Sequence, residues 1–332
     1  MIDTTFLIIA AFLLDAAIGD PPRLPHPVRL IGWLIMQLEK VLRAVLARHL
    51  RLAGIILATL VVGATWLAGL AGTAIYQITA QFNSGWPTWL ATAALIYLAA
   101  ATIATRELLL RVQEVLRCQE LEEARHLVSQ LVGRDTAQLD ADGVRRAALE
   151  TLAENASDGI VAPLFYLGLG GLPLALAYKA VNTLDSMVGY QNEKYAQLGW
   201  ASAKLDDICN YIPARLTALL IMAATWLLDR GDFARTITAF KITRRDGRNH
   251  ASPNSGVPEA ALAGALGIQL GGPTSYFGKI KQKPFIGDPI EPDLGTVTPK
   301  ALQTIRLTAL LALLTAITLA GIHGAVAELY LQ

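Results

Sequence analysis

LAGIILATLVVGATWLAGLAGTAIYQIT, residues 52–79, runs for 28 residues without one charged side chain. A helix needs about 20 mostly apolar residues to cross the hydrocarbon core of a bilayer. This stretch meets that need, and it is not alone. Residues 2–18, 89–105 and 305–329 meet or approach the same requirement, and 160–180 and 212–228 are plausible spans. Residues 260–270 are apolar but too short to cross, so they are expected to form a buried or re-entrant piece. Gly264 and Gly267 within it would admit another backbone closely.

The composition agrees with a membrane chain. Hydrophobic residues make up 53% and charged residues 17%, where an ordinary soluble domain is about a quarter charged. The fold expected is therefore all-α, a polytopic membrane protein with four to six spans, an interfacial amphipathic helix and re-entrant segments. It reads as a single membrane-embedded catalytic domain over 1–332, with a cytoplasmic helical segment at 106–158 and a cytoplasmic loop region at 229–303. The net charge of +1 and the lack of a basic block interleaved with aromatics argue against nucleic acid as a partner. Cys118 and Cys209 fit no metal-ligand spacing and read as buried thiols in a reducing compartment. The first 18 residues carry Asp3 and Asp15 and no basic lead, so they read as a retained helix and not a cleaved signal.

The polar segments set the orientation. Residues 20–51 carry six Arg or Lys against two acids, and 30–50 place apolar residues and Trp33 at helical spacing, as in a helix lying in the membrane interface. Residues 229–258 are basic as well, and their Asn, Ser, Pro and Gly-rich end reads as a loop. The positive-inside rule puts both segments in the cytoplasm. Residues 106–158 mix both signs like a solvated helix, and a second helix is expected to start at Asp140 or Asp142. Residues 159–173 hold two prolines and four glycines, so this stretch is expected to break and dip in a protein-lined cavity instead of crossing as one helix.

Five polar blocks carry the chemistry. In ETLAENASDG (150–159) Glu150, Glu154 and Asp158 fall four apart and share a face if the helix persists. Such carboxylates, with Asn155 beside them, suit Mg²⁺ next to phosphates. YKAVNTLDSMVGY (178–190) puts Lys179, Asn182 and Asp185 near one face, either a phosphate and metal site or a packed ion pair. In KLDDICNYIPAR (204–215) Asp206 pairs by spacing with Asn210, and Arg215 either snorkels or binds an anion. RRDGRNHASPNSGVPE (244–259) offers Arg244, Arg245 and Arg248 as anion captors, His250 as a base, and Asn254, Ser255 and Glu259 as donors and acceptors. GDPPRLPHPVR (19–29) is a proline-stiffened loop bearing Asp20, His26 and Arg29 as a substrate wall. There is no P-loop, no dinucleotide fingerprint, no HExxH and no serine elbow.

Taken in order, GDPPRLPHPVRLIG, ENASDGIVAPLFY, YKAVNTLDSMVGY, KLDDICNYIPARL, DGRNHASPNSGVPEAALAGAL and KPFIGD resemble the adenosylcobinamide-phosphate synthase family of cobalamin biosynthesis over about residues 14–288. The resemblance implies a bacterial inner-membrane enzyme with a cytoplasmic active site. Its reaction would join adenosylcobyric acid to an aminopropanol, usually the O-phosphate, as an amide, splitting ATP to ADP with Mg²⁺. Lipid and other late enzymes of the pathway would be its neighbours. The chemistry then suggests roles. Glu154, Asp158 and Asp185 would hold the Mg²⁺-nucleotide, oriented by Asn155 and Asn182. Lys179, Arg215, Arg244, Arg245 and Arg248 would neutralise phosphates. Asp206 or His250 would take the amine proton, and Asp20, His26, Arg29, Asn254, Ser255 and Glu259 would flank the corrinoid. Two other classes stay open. An intramembrane prenyltransferase would use the acids at 182–185 and 206–210, although Thr183 leaves its first motif incomplete; a corrinoid transporter or scaffold would use broken helices, although no inverted repeat is present.

Overall fold

The computed structural model describes residues 3–20, 26–82, 85–190, 192–276, 278–291 and 293–331. The chain divides into two compact units, Met1–Ala104 with Ala162–Cys209 and Leu313–Gln332, and Thr105–Val161 with Asn210–Ala312.

The first unit contains α1 (Thr4–Ala17), α2 (Pro27–Val45), α3 (Leu50–Gln81), α4 (Gly85–Ala100), α8 (Ala162–Val188), α9 (Trp200–Cys209) and the far end of α13 (Leu294–Leu331). Asp3 starts α1 by accepting the Thr5 amide at 2.9 Å. His26 caps α2 through Nδ1, and Pro27 takes the first helical position, where a missing N–H costs nothing. At 32 residues α3 is about 48 Å long, more than a bilayer core requires. Its inner face carries Ala53, Leu57, Ala58 and Val61, which pack on Ile31 and Ile35 of α2 and on Ala180, Leu184 and Val188 of α8. Small residues bring the backbones together. A Cβ at Gly54 would stand 1.9 Å from the Leu198 carbonyl oxygen, and one at Gly168 would stand 2.6 Å from that of Ala316.

The break expected in 159–173 falls at its end. Helix α8 loses helical geometry at Gly170 and Gly171, and Gly171 sits at φ 67°, ψ −161°, a region only glycine occupies readily. Helix α1, at 14 residues, is too short to cross on its own, which corrects the span read at 2–18. The long apolar helices are Leu50–Gln81, Ala141–Val188, Tyr211–Leu228 and Leu294–Ala325, and the bent pair Gly85–Ala100 and Thr105–Arg117 brings the candidate spans to five. The protein is thus an all-α, multi-pass membrane protein.

The second unit contains α5 (Thr105–Arg117), α6 (Leu121–Ser129), α7 (Ala141–Ala156), a π turn (Ser157–Val161), α10 (Tyr211–Leu228), α11 (Ala234–Asp246), α12 (Gly256–Leu266) and the start of α13. Asp140 caps α7, accepting the Gly143 amide at 2.7 Å, as its place in the sequence suggested. Every residue of α12 is buried, as a helix apolar on all sides must be. Gly264 permits this burial, since a Cβ there would stand 2.6 Å from Cα of Ala239 in α11. Gly267 serves a different purpose, ending α12 in the left-handed conformation at φ 70°.

Residues 229–303 are more ordered than a loop region. They form α11 and α12, and then β1 (Leu270–Gly271), β2 (Thr274–Tyr276), β3 (Lys279–Lys281) and β4 (Phe285–Ile286). Strand β1 pairs antiparallel with β4, and β2 with β3. Charge density hid α11 from a reading based on apolar runs: its inner face is only Ala239 and Ile242, with Asp246 buried at its end.

Candidate active site

The second unit gathers three carboxylates, a histidine and several cations from separate blocks. Helix α7 supplies Glu150 and Glu154. Glu150 is ion-paired with Arg134 from the loop before α7, and its other oxygen accepts the Gly271 amide of β1 at 2.6 Å. Glu154 accepts the Ser255 hydroxyl at 2.9 Å. Ser255 is held in turn by the 252–255 turn, where the Ser252 hydroxyl receives the Asn254 and Ser255 amides at 3.2 and 3.4 Å. One turn into α12, Glu259 is buried. Burial pushes its carboxyl well above the ordinary glutamate range, and the neighbouring charges of Glu154 and Glu150 push it the same way against Lys283 and Arg134. The shift favours the protonated carboxyl, the form able to donate a hydrogen bond.

His250 completes the group. Its Nδ1 accepts the Ser252 amide at 3.1 Å, which leaves the proton on Nε2. Burial lowers its pKa below the ordinary histidine value, with Glu154 opposing and Lys283 assisting. With Nδ1 engaged by that amide, the neutral ring offers its Nε2–H to the site as a hydrogen-bond donor. Lys283 itself donates to the Tyr276 hydroxyl at 2.7 Å and lies 5.0 Å from that ring.

A second ionic node anchors the region. Arg245 donates to both oxygens of Asp246, at 2.8 and 2.7 Å, and to both of Asp288, at 3.1 and 2.8 Å. Asp246 also accepts the Gly287 amide at 2.8 Å. The Arg245 hydrogen bonds hold the Asp246 carboxyl below its usual range despite its burial. Arg245 thus joins α11 to the segment after β4. Arg215 likewise ties segments together. It donates to the Asn254 side chain at 2.8 Å and the Pro253 carbonyl at 3.3 Å, and it stacks 3.6 Å from the Tyr211 ring. Arg244 and Arg248 are exposed and make no ion pair among the described residues.

Asp158 leaves the expected row. The helix widens into the π turn at Ser157, so Glu150 and Glu154 keep the α-helical register and Asp158 does not. Asn155 donates back to the Thr151 carbonyl of its own helix at 3.1 Å. Lys179, Asn182, Asp185 and Asp206 belong to the first unit, as do Asp20, His26 and Arg29. There Asp20 lies 3.0 Å from Nε2 of His26, Arg29 is exposed, and Lys204 pairs with Asp207 at 3.0 Å. Pro21 to Pro25 of the stiff loop fall outside the described residues.

Arg134 and Lys283 enter the site although the sequence assigned them no role, and Glu150 joins them from the face it was expected to share with Glu154. Arg134 lies outside the five polar blocks, and Lys283 lay within the KPFIGD block without a partner in view. Only Glu150 gave a signal, its four-residue offset from Glu154.

Among the described residues no three His, Cys, Asp or Glu side chains stand together as a ready metal cage. Glu154 stands in the last turn of α7 and Asp158 in the π turn that follows it.

Residues 8–320 match the family model described as CobD/Cbib protein. A cobalamin biosynthesis protein CobD of Geobacter metallireducens is 48% identical over 299 residues, 88% of this chain and 89% of the relative. One from Photorhabdus laumondii is 45% identical over 307 residues, 92% and 94% of the two chains. The cobalamin biosynthesis protein CbiB of Salmonella typhimurium is 48% identical over 283 residues, 84% and 85%. No solved structure matches.

Proposed function

Since this chain belongs to the CobD/CbiB family of cobalamin biosynthesis enzymes, we propose that it is an adenosylcobinamide-phosphate synthase, an ATP-dependent ligase that joins adenosylcobyric acid to 1-aminopropan-2-ol O-phosphate. The observation that carries the chemistry is the convergence of Glu150, Glu154, Glu259, His250, Arg134 and Lys283 in one compact unit.

A carboxylate must be activated before an amine can displace its oxygen. In this reading a carboxylate oxygen of the corrinoid attacks the γ-phosphorus of ATP, and ADP leaves. The amine nitrogen then attacks the acyl carbon, the carbon–oxygen bond to phosphate breaks, and phosphate departs. His250, with Nδ1 engaged by the Ser252 amide, donates its Nε2–H to an oxygen of the transferring phosphoryl or acyl group, and the proton lost by the amine leaves with the departing phosphate or passes to water. Glu259 donates its proton as a hydrogen bond to the oxygen on which charge develops. Lys283, with Arg244 and Arg248 at the surface, attracts the phosphates of both substrates. Ser255 orients Glu154, and Glu154 with Asp158 would hold Mg²⁺ carried in by the nucleotide, which supplies charge neutralisation at the transferring phosphoryl group. Lys179, Asn182, Asp185 and Asp206 take no step in this mechanism.

The basic segments 20–51 and 229–258 support a cytoplasmic face for the site, and hence the bacterial inner membrane as its location. Purified protein given adenosylcobyric acid, MgATP and either the aminoalcohol or its phosphate should yield the amide by mass spectrometry with one ADP per product. Formation of AMP would exclude the acyl-phosphate route, and no amide with either amine would remove the assignment.

A further inference from the structure

Helix α2 has two apolar faces, and the fold uses one. Ile31 and Ile35 are buried on α3 and α8, and Gly32 lies under Met187, whose sulfur would stand 3.3 Å from a Cβ there. The opposite side exposes Leu30, Trp33, Met36, Val41 and Val45, with Trp33 at 57%, Met36 at 52% and Val45 at 73%. Lys40 and Arg29 share that side with Trp33 and Met36, each close to a whole number of turns from the others. Water is a poor solvent for this face, and a bilayer core is a poor one for its charges. The boundary between headgroups and acyl chains suits both.

Cations collect where α2 gives way to α3. Arg43 donates to Glu39 and to the Lys194 carbonyl, both at 2.8 Å, and its guanidinium lies 5.3 Å from the Tyr195 ring centroid. The Lys194 ammonium lies 4.5 Å from the same ring. Arg51, at the start of α3, stands 5.8 Å from the Trp200 ring. Arg48, in the turn between the helices, is exposed. Against these four cations the same patch offers Glu39, which is already engaged, and Glu193. The Tyr195 ring is anchored, since it packs on the core formed by α2, α3 and α8. Aromatic rings at the membrane boundary beside Arg and Lys form a platform for an acidic headgroup.

We propose that Arg43, Arg48, Arg51 and Lys194, with Tyr195 and Trp200, bind the phosphodiester headgroup of an anionic phospholipid, whose acyl chains cover the exposed apolar face of α2. The proposal is independent of the reaction assigned to the second unit, because all of these residues lie in the first.

The test is to place the full-length protein in nanodiscs of phosphatidylcholine alone or mixed with phosphatidylglycerol, and to count retained lipids by native mass spectrometry. Wild type should retain phosphatidylglycerol in preference to phosphatidylcholine. Arg43→Gln with Lys194→Gln should reduce that preference by roughly thirtyfold, from about 1 kcal/mol per basic residue near an anionic surface. Arg43→Lys with Lys194→Arg, which keeps the charge, should retain it. Inorganic phosphate should not displace the lipid, since it lacks the chains that bind α2. The proposal is overturned if wild type shows no headgroup preference, if the neutral pair keeps it while the protein stays folded, if free phosphate competes as well as lipid, or if the face proves to be covered by a second copy of the chain.

Discussion

Arg134→Met is the most informative single change at the candidate site. In the folded protein the Glu150 side chain is 6% exposed and the Arg134 side chain 15%, so the pair is largely removed from water. Removing the guanidinium leaves a buried carboxylate whose remaining partner is the Gly271 amide at 2.6 Å. Breaking a buried ion pair from one side costs about 3–5 kcal/mol. The surviving amide bond favours the lower end, about 3 kcal/mol. Glu150→Leu is worse by the same logic, because it strands both the guanidinium and the Gly271 N–H. The double variant Arg134→Met with Glu150→Leu strands only the N–H, at about 1–3 kcal/mol. The two changes are therefore strongly non-additive, with a coupling of at least about 3 kcal/mol. Equilibrium unfolding in mixed micelles, followed by circular dichroism, measures all four proteins. A double variant whose loss equals the sum of the single losses would refute the idea that the two residues act as a buried pair.

Four further outcomes follow from the same geometry. His250→Asn, which removes the Nε2–H donor, should lower kcat by about 10²–10³ at pH 7, and in wild type the acidic limb of the rate profile should lie below the ordinary histidine pKa, since burial lowers that of His250 and a proton on Nδ1 would oppose the Ser252 amide. Glu259 is raised in the folded state, so its contribution to stability is complete at acid pH and is lost as pH rises from the ordinary glutamate range through its folded value; Glu259→Gln should flatten that slope in pH-dependent unfolding and leave acid stability nearly unchanged. Asp246 is lowered by its hydrogen bonds from Arg245, so its contribution is present above the ordinary aspartate range and lost as pH falls through the folded value; Arg245→Gln should move the acid-unfolding midpoint to higher pH. Gly54→Ala should destabilise by about 1–3 kcal/mol through collision with the Leu198 carbonyl, while Gly63→Ala, with open space at its Cβ, should be neutral in the same thermal scan.

The membrane character, the helical class, the cap at Asp140 and the glycine break near residue 170 were all legible in the sequence, because each depends on neighbours along the chain. An apolar run declares its medium, and a two-glycine step before a proline breaks a helix wherever the fold carries it. The six ordered blocks likewise carried the family, since long unusual strings need no geometry to be compared. Arg134 could not be found that way, because nothing near residue 134 says that its partner is 16 residues on and that β1 supplies the second bond. Nor did the sequence reveal that Arg215 and Arg245 hold loops together, while Arg244 and Arg248 stay open to solvent. An arginine reads the same at all four positions. What differs is burial and the company of carboxylates and carbonyls brought from distant segments, and those depend on tertiary packing. The row of Glu150, Glu154 and Asp158 shows the divide within one helix. Its four-residue spacing was plain in the sequence, but the π turn that takes Asp158 out of register exists only where α7 passes into the packed interior of its unit.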